Sequence, residues 1–381
     1  MKAVFRFIAG FFKRVDMVLL ILVTACSALS VTLIYSIYIN DVSSYVYPST
    51  YKTQVIAMIA GTVVAIAISL FDYKKFIKIW YIYLPFAVFL VLLTFTPLGL
   101  QREGADDRAW INLGFTTLQP SEVLKLAFIL SFAYHLQKVG KRLNEPKNVI
   151  LLLLHAALPI GLIIVQGDDG TAIVFCVIAL AMLFAAGISW KYIVSAFAAL
   201  PLVGIVLWNF VLQQHQKNRI LVTFSPELDP LGTGNQQRLG KIALGSGQVF
   251  GKGLFKGTYS YVPEVQNDFI FSYVGQTLGF VGCVALCIVI TIICIRLVTN
   301  GNKSNDQQGN LICVGVFALI FVHAILNIGM VLGVMPVIGV PLPFISAGGT
   351  AMLSMYATIG LAMSVYSHSE KEYKIFKRNK F

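Results

Sequence analysis

Apolar runs long enough to cross a bilayer as a helix, about 20 residues each, recur along the whole chain between short polar breaks. They predict spans near 17–39, 53–71, 79–100, 120–137, 149–165, 171–189, 192–212, 269–297, 309–334 and 349–367. The first run is too long for a signal-peptide core and no A-x-A-like site follows it, so it reads as a retained first helix. Two breaks are unlike connectors. One is 101–118, with Arg102, Glu103, Asp106, Asp107 and Arg108. The other, 213–268, is 56 residues long with eight glycines. Loops of that length are usually functional or disordered, and interspersed apolar residues, glycines and prolines predict a folded cap. The expected fold class is an all-α polytopic membrane protein of about ten helices. It forms one multi-spanning domain over 1–381, with the large outer loop 213–268 between helices 7 and 8. No repeat of constant period and no low-complexity tract interrupts the pattern.

Composition agrees with the pattern and charge orients it. The 381 residues are 57% hydrophobic and 12% charged, against about 25% charged in soluble domains. One water-soluble core could not hide that apolar surface, and disorder is excluded by the abundance of Leu, Ile, Val and Phe. The net charge of +12 would suit nucleic acid, but the positive-inside rule accounts for most of it. With the N-terminus inside, Lys2, Arg6, Lys13, Arg14, Lys74, Lys75, Lys78, Lys138, Lys141, Arg142, Lys147, Lys191, Arg296, Lys303, Lys371, Lys374, Lys377, Arg378 and Lys380 are cytoplasmic, 19 of the 29 Lys and Arg. Nine fall outside and Lys125 lies within a span. An even number of spans returns the C-terminus to the cytoplasm.

A few residues could carry chemistry. Gln119-Pro-Ser-Glu-Val-Leu-Lys125 opens the fourth span and places Glu122 and Lys125 on one helix face. Ionisable groups at membrane depth are costly and mark function by default, although a structural ion pair would look the same. In the outer loop, Arg219, Arg238, Lys241, Lys252 and Lys256 offer cationic groups for phosphate, and Gly245, Gly247, Gly251, Gly253 and Gly257 permit close backbone approach. Gly245-Ser-Gly-Gln-Val-Phe-Gly-Lys-Gly253 lacks the Ser/Thr and βαβ context of a phosphate-binding P-loop, and a solvated basic loop is the plain alternative. Asp268 sits where the loop meets the eighth span. Partial desolvation there suits a general base, while helix capping is the other reading. Asp168 and Asp169 form a short polar turn. Asn327 leads into Met335-Pro-Val-Ile-Gly-Val-Pro-Leu-Pro-Phe-Ile-Ser-Ala-Gly-Gly349, whose prolines and glycines predict a re-entrant segment beside a polar cavity. The cysteines, at 26, 176, 283, 287, 294 and 313, lie in predicted spans without C-x-x-C spacing, and His135, His155, His215, His323 and His368 are scattered, so a structural zinc site is not expected.

The combination resembles the SEDS family (shape, elongation, division, sporulation) of bacterial membrane proteins. The landmarks are Arg108-Ala-Trp-Ile-Asn-Leu-Gly114, Gln119-Pro-Ser-Glu-Val-Leu-Lys125, Gln166-Gly-Asp-Asp-Gly-Thr-Ala172, Asp229-Pro-Leu-Gly232, Gly245-Ser-Gly247, Gly251-Lys-Gly253, Pro263-Glu264, Asp268-Phe-Ile-Phe271 and Pro341-Leu-Pro-Phe-Ile-Ser-Ala-Gly-Gly349. Their order spans nearly the whole chain. The Asp-Pro-Leu-Gly and Gly-Lys-Gly elements look more like the RodA branch, which elongates rods, than the FtsW division branch.

The resemblance implies a peptidoglycan glycosyltransferase that polymerises lipid II, a disaccharide-pentapeptide on undecaprenyl pyrophosphate, on the outer face of the bacterial cytoplasmic membrane. It implies Asp268 as catalytic base. Arg108, Trp110, Gln119, Glu122, Lys125, Arg219, Lys252 and Ser346 are the candidates for substrate binding. A divalent cation (Mg or Mn) could assist, with no certain cofactor. A single-pass class B penicillin-binding protein is the implied partner, beside membrane lipids; nucleic acid is not expected. A lipid II flippase and a non-catalytic scaffold are the rival readings. The chain departs from the family at Gly275-Gln-Thr-Leu-Gly279, where Glu-Glu-Leu-Gly is common, at Gln166-Gly-Asp168 for Gln-Pro-Asp, at Gly234-Asn235 for Gly-Tyr and at Ser346-Ala-Gly-Gly349 for Ser-Tyr-Gly-Gly.

Overall fold

The computed structural model describes residues 15–43, 46–101, 107–112, 114, 117–255 and 257–378. Lys2, Arg6, Lys13, Arg14, Lys380, Lys256, Arg102, Glu103 and Asp106 lie outside the described residues, as do the side chains of Lys371, Lys374, Lys377 and Arg378.

Ten helices match the ten apolar runs. They are α1 (Met17–Ile39), α2 (Pro48–Leu70), α4 (Trp80–Leu93), α5 (Pro120–Val139), α6 (Pro146–Gln166), α7 (Asp169–Ala186), α8 (Trp190–Val206), α11 (Ile270–Asn302), α12 (Gln307–Leu332) and α13 (Gly349–Arg378). Short α3 (Tyr73–Lys78) links α2 to α4, and α9 (Gln214–Phe224) and α10 (Thr233–Ser246) fold within the long loop. Seven of the helices are each long and apolar enough to cross a membrane. Local chemistry sets the ends. Pro120 and Pro146 occupy first-turn positions, where a missing N–H costs nothing. Asp168 caps α7 by accepting from Thr171 N at 2.9 Å, and α6 and α7 close on left-handed Gly167 and Gly187.

The third span stops earlier than the expected 79–100. Thr94 and Thr96 turn their hydroxyls back onto Val91 O and Leu93 O, and Pro97 follows, which cannot continue a helix. The chain then enters a three-stranded antiparallel sheet of β1 (Gly99–Leu100), β2 (Trp110–Asn112) and β3 (Thr117–Leu118), with β2 central. Leu100 pairs with Trp110 and Ile111 with Leu118. The eighth span is one element broken at Gly279 (φ 68°).

Buried polar contacts define the two ends of the bundle. At one end, Arg296 reaches Asp16 with two bonds of 2.8 and 3.0 Å, Asn300 adds a third at 2.7 Å, and Tyr73 and Lys74 hold Asp306 at 2.8 and 3.1 Å. At the other end, Gln54 donates to Ser346 O at 3.0 Å, Gln119 to Asp168 at 3.2 Å and Gln216 to both oxygens of Asp169 at 2.8 Å. Between them lies an apolar core that includes Leu33, Phe128, Phe175, Ile293 and Tyr356. Helices α2 and α13 meet over small residues: a Cβ at Gly61 would strike the Tyr356 ring at 2.6 Å, the close approach that membrane helices favour.

The long loop is a folded cap rather than a bare connector. Helix α10 docks on the C-terminal end of α12 through Gln237, whose amide donates to Met330 O and Met335 O at 3.2 and 3.1 Å. Its following turn interlocks with the break in α11. Lys252 N and Gly253 N donate to Gln276 O and Thr277 O at 2.9 and 3.0 Å, and Phe280 N and Val281 N return bonds to Gln248 O and Val249 O at 2.8 and 3.1 Å. A Cβ at Gly251 would fall 2.2 Å from Thr277 O and one at Gly247 1.9 Å from Gly275 O, so the close approach these two glycines permit is to α11 of the same chain, while Gly245 and Gly253 face open space.

Candidate functional site

The end of the bundle that carries the cap holds a cavity of about 380 Å³. The start of α5 contributes Gln119 and Glu122, and β2 contributes Trp110. The α6–α7 turn adds Asp168 and Asp169, and the cap adds Arg219, Glu264 and Asp268. The irregular segment between α12 and α13 closes it with residues 337–341 and 347–348. This segment is the non-helical stretch expected beside a polar cavity, and it lies where the proline and glycine pattern placed it.

Asp268 is half-buried at the junction of cap and α11. The helix cap position is Phe269, one residue on. The Asp268 carbonyl accepts from Asn327 Nδ2 at 2.8 Å, which ties the junction to α12. Gly339 of the closing segment stands beside the carboxylate: a Cβ there would lie 3.6 Å from Asp268 Oδ2, in ordinary contact.

Glu122 and Lys125 are buried, 2% and 1% exposed, and paired at 2.7 Å through Glu122 Oε1. Helix geometry brings them together because residues three apart share a face. Lys125 Nζ also lies 3.3 Å from His323 Nε2 on α12, and His323 Nδ1 lies 3.1 Å from Pro341 O. Glu122 Oε2 has no hydrogen-bond partner among the described residues. The pair is thus both a packing device and part of the cavity wall: Glu122 lines the cavity while Lys125 sits behind it.

Three other candidates are placed away from the cavity lining. Arg108 donates to Thr96 O at 3.1 Å and to Gly99 O at 3.2 Å, closing the turn into β1. Lys252 donates to Thr258 O at 3.0 Å. Ser346 is buried and bridges Leu342 N and Asn267 O at 2.8 and 2.7 Å, so it shapes the loop that carries the carboxylate. The remaining candidates, Trp110, Gln119 and Arg219, do reach the lining. His323 and Glu264 reach it too without having been singled out. A polar His323 and Asn327 one turn apart in an otherwise apolar span was the available signal.

Asp107, Glu122, Asp168, Asp169, Glu264 and Asp268 give the cavity an acidic wall, and Arg219 is its Lys or Arg lining residue among those described. Burial raises the Asp168 carboxyl above its ordinary range, against bonds from Thr171 that act to lower it. Among the described residues no group of three or more His, Cys, Asp or Glu side chains is placed to hold a metal ion.

Comparison with known proteins agrees with this architecture. A profile of the FtsW/RodA/SpoVE family, described as cell cycle protein, matches residues 16–371. The peptidoglycan glycosyltransferase MrdB of Escherichia coli (strain K12) is 34% identical over 294 residues, covering 76% of this chain and 78% of its own. The probable peptidoglycan glycosyltransferase FtsW of Trichlorobacter lovleyi is 31% identical over 363 residues, 92% of each chain. A solved chain from work described as "Structural coordination of polymerization and crosslinking by a peptidoglycan synthase complex" superposes with a TM-score of 0.79. It is 26% identical, and the match covers 93% of this chain and 98% of that one.

Proposed function

The chain belongs to the FtsW/RodA/SpoVE family, the SEDS peptidoglycan glycosyltransferases, and from that premise we propose that it polymerises lipid II with Asp268 as the general base. It is a membrane protein of peptidoglycan synthesis. The single observation that carries the residue assignment is the position of Asp268, a carboxylate at the junction of cap and α11 that lines the outer cavity together with Glu122.

The chemistry follows from the reaction. The GlcNAc 4-hydroxyl of one substrate attacks MurNAc C1 of the other, and its proton passes to the Asp268 carboxylate. The C1–O bond to the diphosphate breaks, and the leaving group departs as an anion without a protein acid. One displacement inverts an α-linked donor to a β-1,4 product. Arg219 is the lining cation placed to offset the developing charge, the kind of electrostatic contribution that dominates such transfers. Trp110 and Gln119 offer a stacking face and an amide for the sugars, and the apolar flanks of the bundle accommodate the polyprenyl chains.

On this reading the cavity faces the outer side of the cytoplasmic membrane and the Asp16–Arg296 end faces the cytoplasm, as the distribution of basic residues favours. The cap 213–268 is part of the active site. A class B penicillin-binding protein is the proposed partner, supported by the resemblance to a chain from a complex that couples polymerisation to crosslinking. Cell-wall elongation is the proposed role, supported by the Asp229-Pro-Leu-Gly232 and Gly251-Lys-Gly253 elements.

The test is to supply purified wild-type protein and Asp268→Asn with lipid II and to resolve the glycan products. Wild type forms polymer and Asp268→Asn does not. Polymer from the variant at the wild-type rate would remove Asp268 from the mechanism. Translocation of lipid II without polymer by wild type would favour a flippase.

A further inference from the structure

We propose that His323 is a positioning residue of this polymerase site: a neutral imidazole that fixes the Lys125 ammonium, and through it Glu122, against the segment closing the cavity beside Asp268. The inference rests on the polymerase reading for its functional consequence and on geometry alone for its protonation state.

The tautomer follows from the partners. Pro341 O can only accept a hydrogen bond and the Lys125 ammonium can only donate. With His323 Nδ1 at 3.1 Å from the carbonyl and Nε2 at 3.3 Å from Nζ, the ring must carry its proton on Nδ1 and present a lone pair on Nε2. The ring is 2% exposed, so water does not compete for either bond. An imidazolium would set an N–H against an ammonium and forfeit the second bond. Lys125 therefore has two acceptors in fixed directions, Glu122 Oε1 at 2.7 Å and His323 Nε2.

The same helix face continues the chain of contacts. Asn327, one turn beyond His323, donates to Val340 O and to Asp268 O, each at 2.8 Å. Helix α12 thus grips two consecutive carbonyls, 340 and 341, and the backbone of the proposed base. On the opposite side, Ser354 of α13 donates to Glu122 O at 3.0 Å. Glu122 is held by its backbone and by one carboxylate oxygen, and its Oε2 is buried without a hydrogen-bond partner among the described residues. Removing the imidazole lone pair would free Lys125 to turn, and the Glu122 carboxylate with it. A polar group in the middle of an apolar span is hard to account for as packing alone. Here it joins the buried ion pair on α5 to the closing segment.

The experiment uses the full chain in detergent or liposomes with lipid II, and compares His323→Leu, His323→Gln and His323→Asn. Leucine approximates the volume without polar atoms. Glutamine carries an acceptor out to the position of Nε2, and asparagine keeps a donor near Nδ1. His323→Leu is expected to lower kcat about tenfold or more, the scale of a lost hydrogen bond to a charged group, with KM for lipid II little changed. His323→Gln is expected to recover most of that loss and to exceed His323→Asn, a ranking that still decides the matter if the leucine variant does not fold. Nitrogen-15 NMR of labelled histidines should show one ring protonated on Nδ1 and bare on Nε2, absent from His323→Gln. Wild-type kcat in folded His323→Leu, His323→Gln no better than His323→Asn, or an imidazolium or Nε2–H ring at neutral pH would overturn the proposal. Wild type and Asp268→Asn run alongside test the polymerase reading separately; if polymerisation fails there, the tautomer result still stands or falls by itself.

Discussion

Carboxylates at the two ends of the bundle are treated differently. At the proposed cytoplasmic end Asp16 is buried and receives Arg296 twice and Asn300 once, while Asp306 takes Tyr73, Lys74 and Gly309 N. Each has the donors its oxygens can use, from helices it thereby holds together. At the cavity end, Glu122 meets Lys125 through one oxygen and keeps the other without a hydrogen-bond partner among the described residues, and Asp168 and Asp169 receive neutral amides. Satisfied charge locks helices; incompletely satisfied charge facing a cavity is retained at a cost in stability, which marks it for function.

The sharpest way to break that contrast is to remove one carboxylate charge from each end. Asp268→Asn is expected to lower the polymerisation rate by a factor of about 10² or more, the scale of lost general-base catalysis, without lowering the unfolding temperature. Asp306→Asn should do the reverse, lowering thermal stability in detergent while leaving kcat close to wild type. Polymerisation assays and thermal scans on both variants decide it, and a loss of activity confined to Asp306→Asn would invert the comparison.

Lys125→Met comes next, because it strands Glu122 as a buried charge. Breaking a buried pair from one side costs about 3–5 kcal/mol, so a large drop in unfolding temperature is expected. Glu122→Gln added to Lys125→Met should restore part of it, since the uncompensated charge is then gone. Stability with no recovery in the double variant would mean that the pair's packing, and not its charge, is what the fold requires.

Asp16→Asn sharpens the other side. The amide keeps one acceptor oxygen; placed at Oδ2 it retains the Asn300 contact and one weakened bond from Arg296, while the Arg296 bond to Oδ1 is lost. The expected loss is about 1.5–3 kcal/mol, read as a lower midpoint in thermal denaturation. Exposure of part of the Arg296 side chain places the effect toward the smaller end.

These contrasts show which features a sequence can disclose. The ten helices were legible because an apolar run is a local property and bilayer thickness supplies its length. The early end of α4 was signalled by Thr94, Thr96 and Pro97, yet the run of apolar residues through Leu98–Leu100 hid it, since strand and span share that composition. The type of a charged residue is equally local, but its partner is not. Lys252 read as a phosphate ligand by charge and position and Arg108 as a substrate-binding candidate by resemblance, whereas in the fold they satisfy backbone carbonyls brought close by turns. Gly247 and Gly251 read as room for a ligand, and their room is taken by α11 at its break, a contact set by tertiary packing. Glu122, Asp268 and Arg219 came out together because the breaks between spans place them at one end of the bundle.

The smallest expected effect concerns Asp229, whose motif suggested function by resemblance and whose geometry explains it by local structure. Its carboxylate accepts from Gly232 N at 3.0 Å and from Thr233 N and Oγ1 at 2.7 and 3.0 Å, supplying the first donors of α10. Desolvation pushes its pKa up, but these bonds outweigh it and hold the carboxyl below its ordinary value. A depressed pKa in the fold means the contribution is complete above the unfolded value and fades as pH falls through the folded one, that is, below about 4. Asp229→Ala should therefore cost about 1 kcal/mol at neutral pH, with the difference from wild type shrinking in acid. Since α10 braces α12 through Gln237, kcat should fall only modestly, and Asp229→Asn, which keeps an acceptor, should retain most of it. Activity in Asp229→Asn as low as in Asp268→Asn would place this carboxylate with the cavity wall in function, and the division between the two kinds of carboxylate would need redrawing.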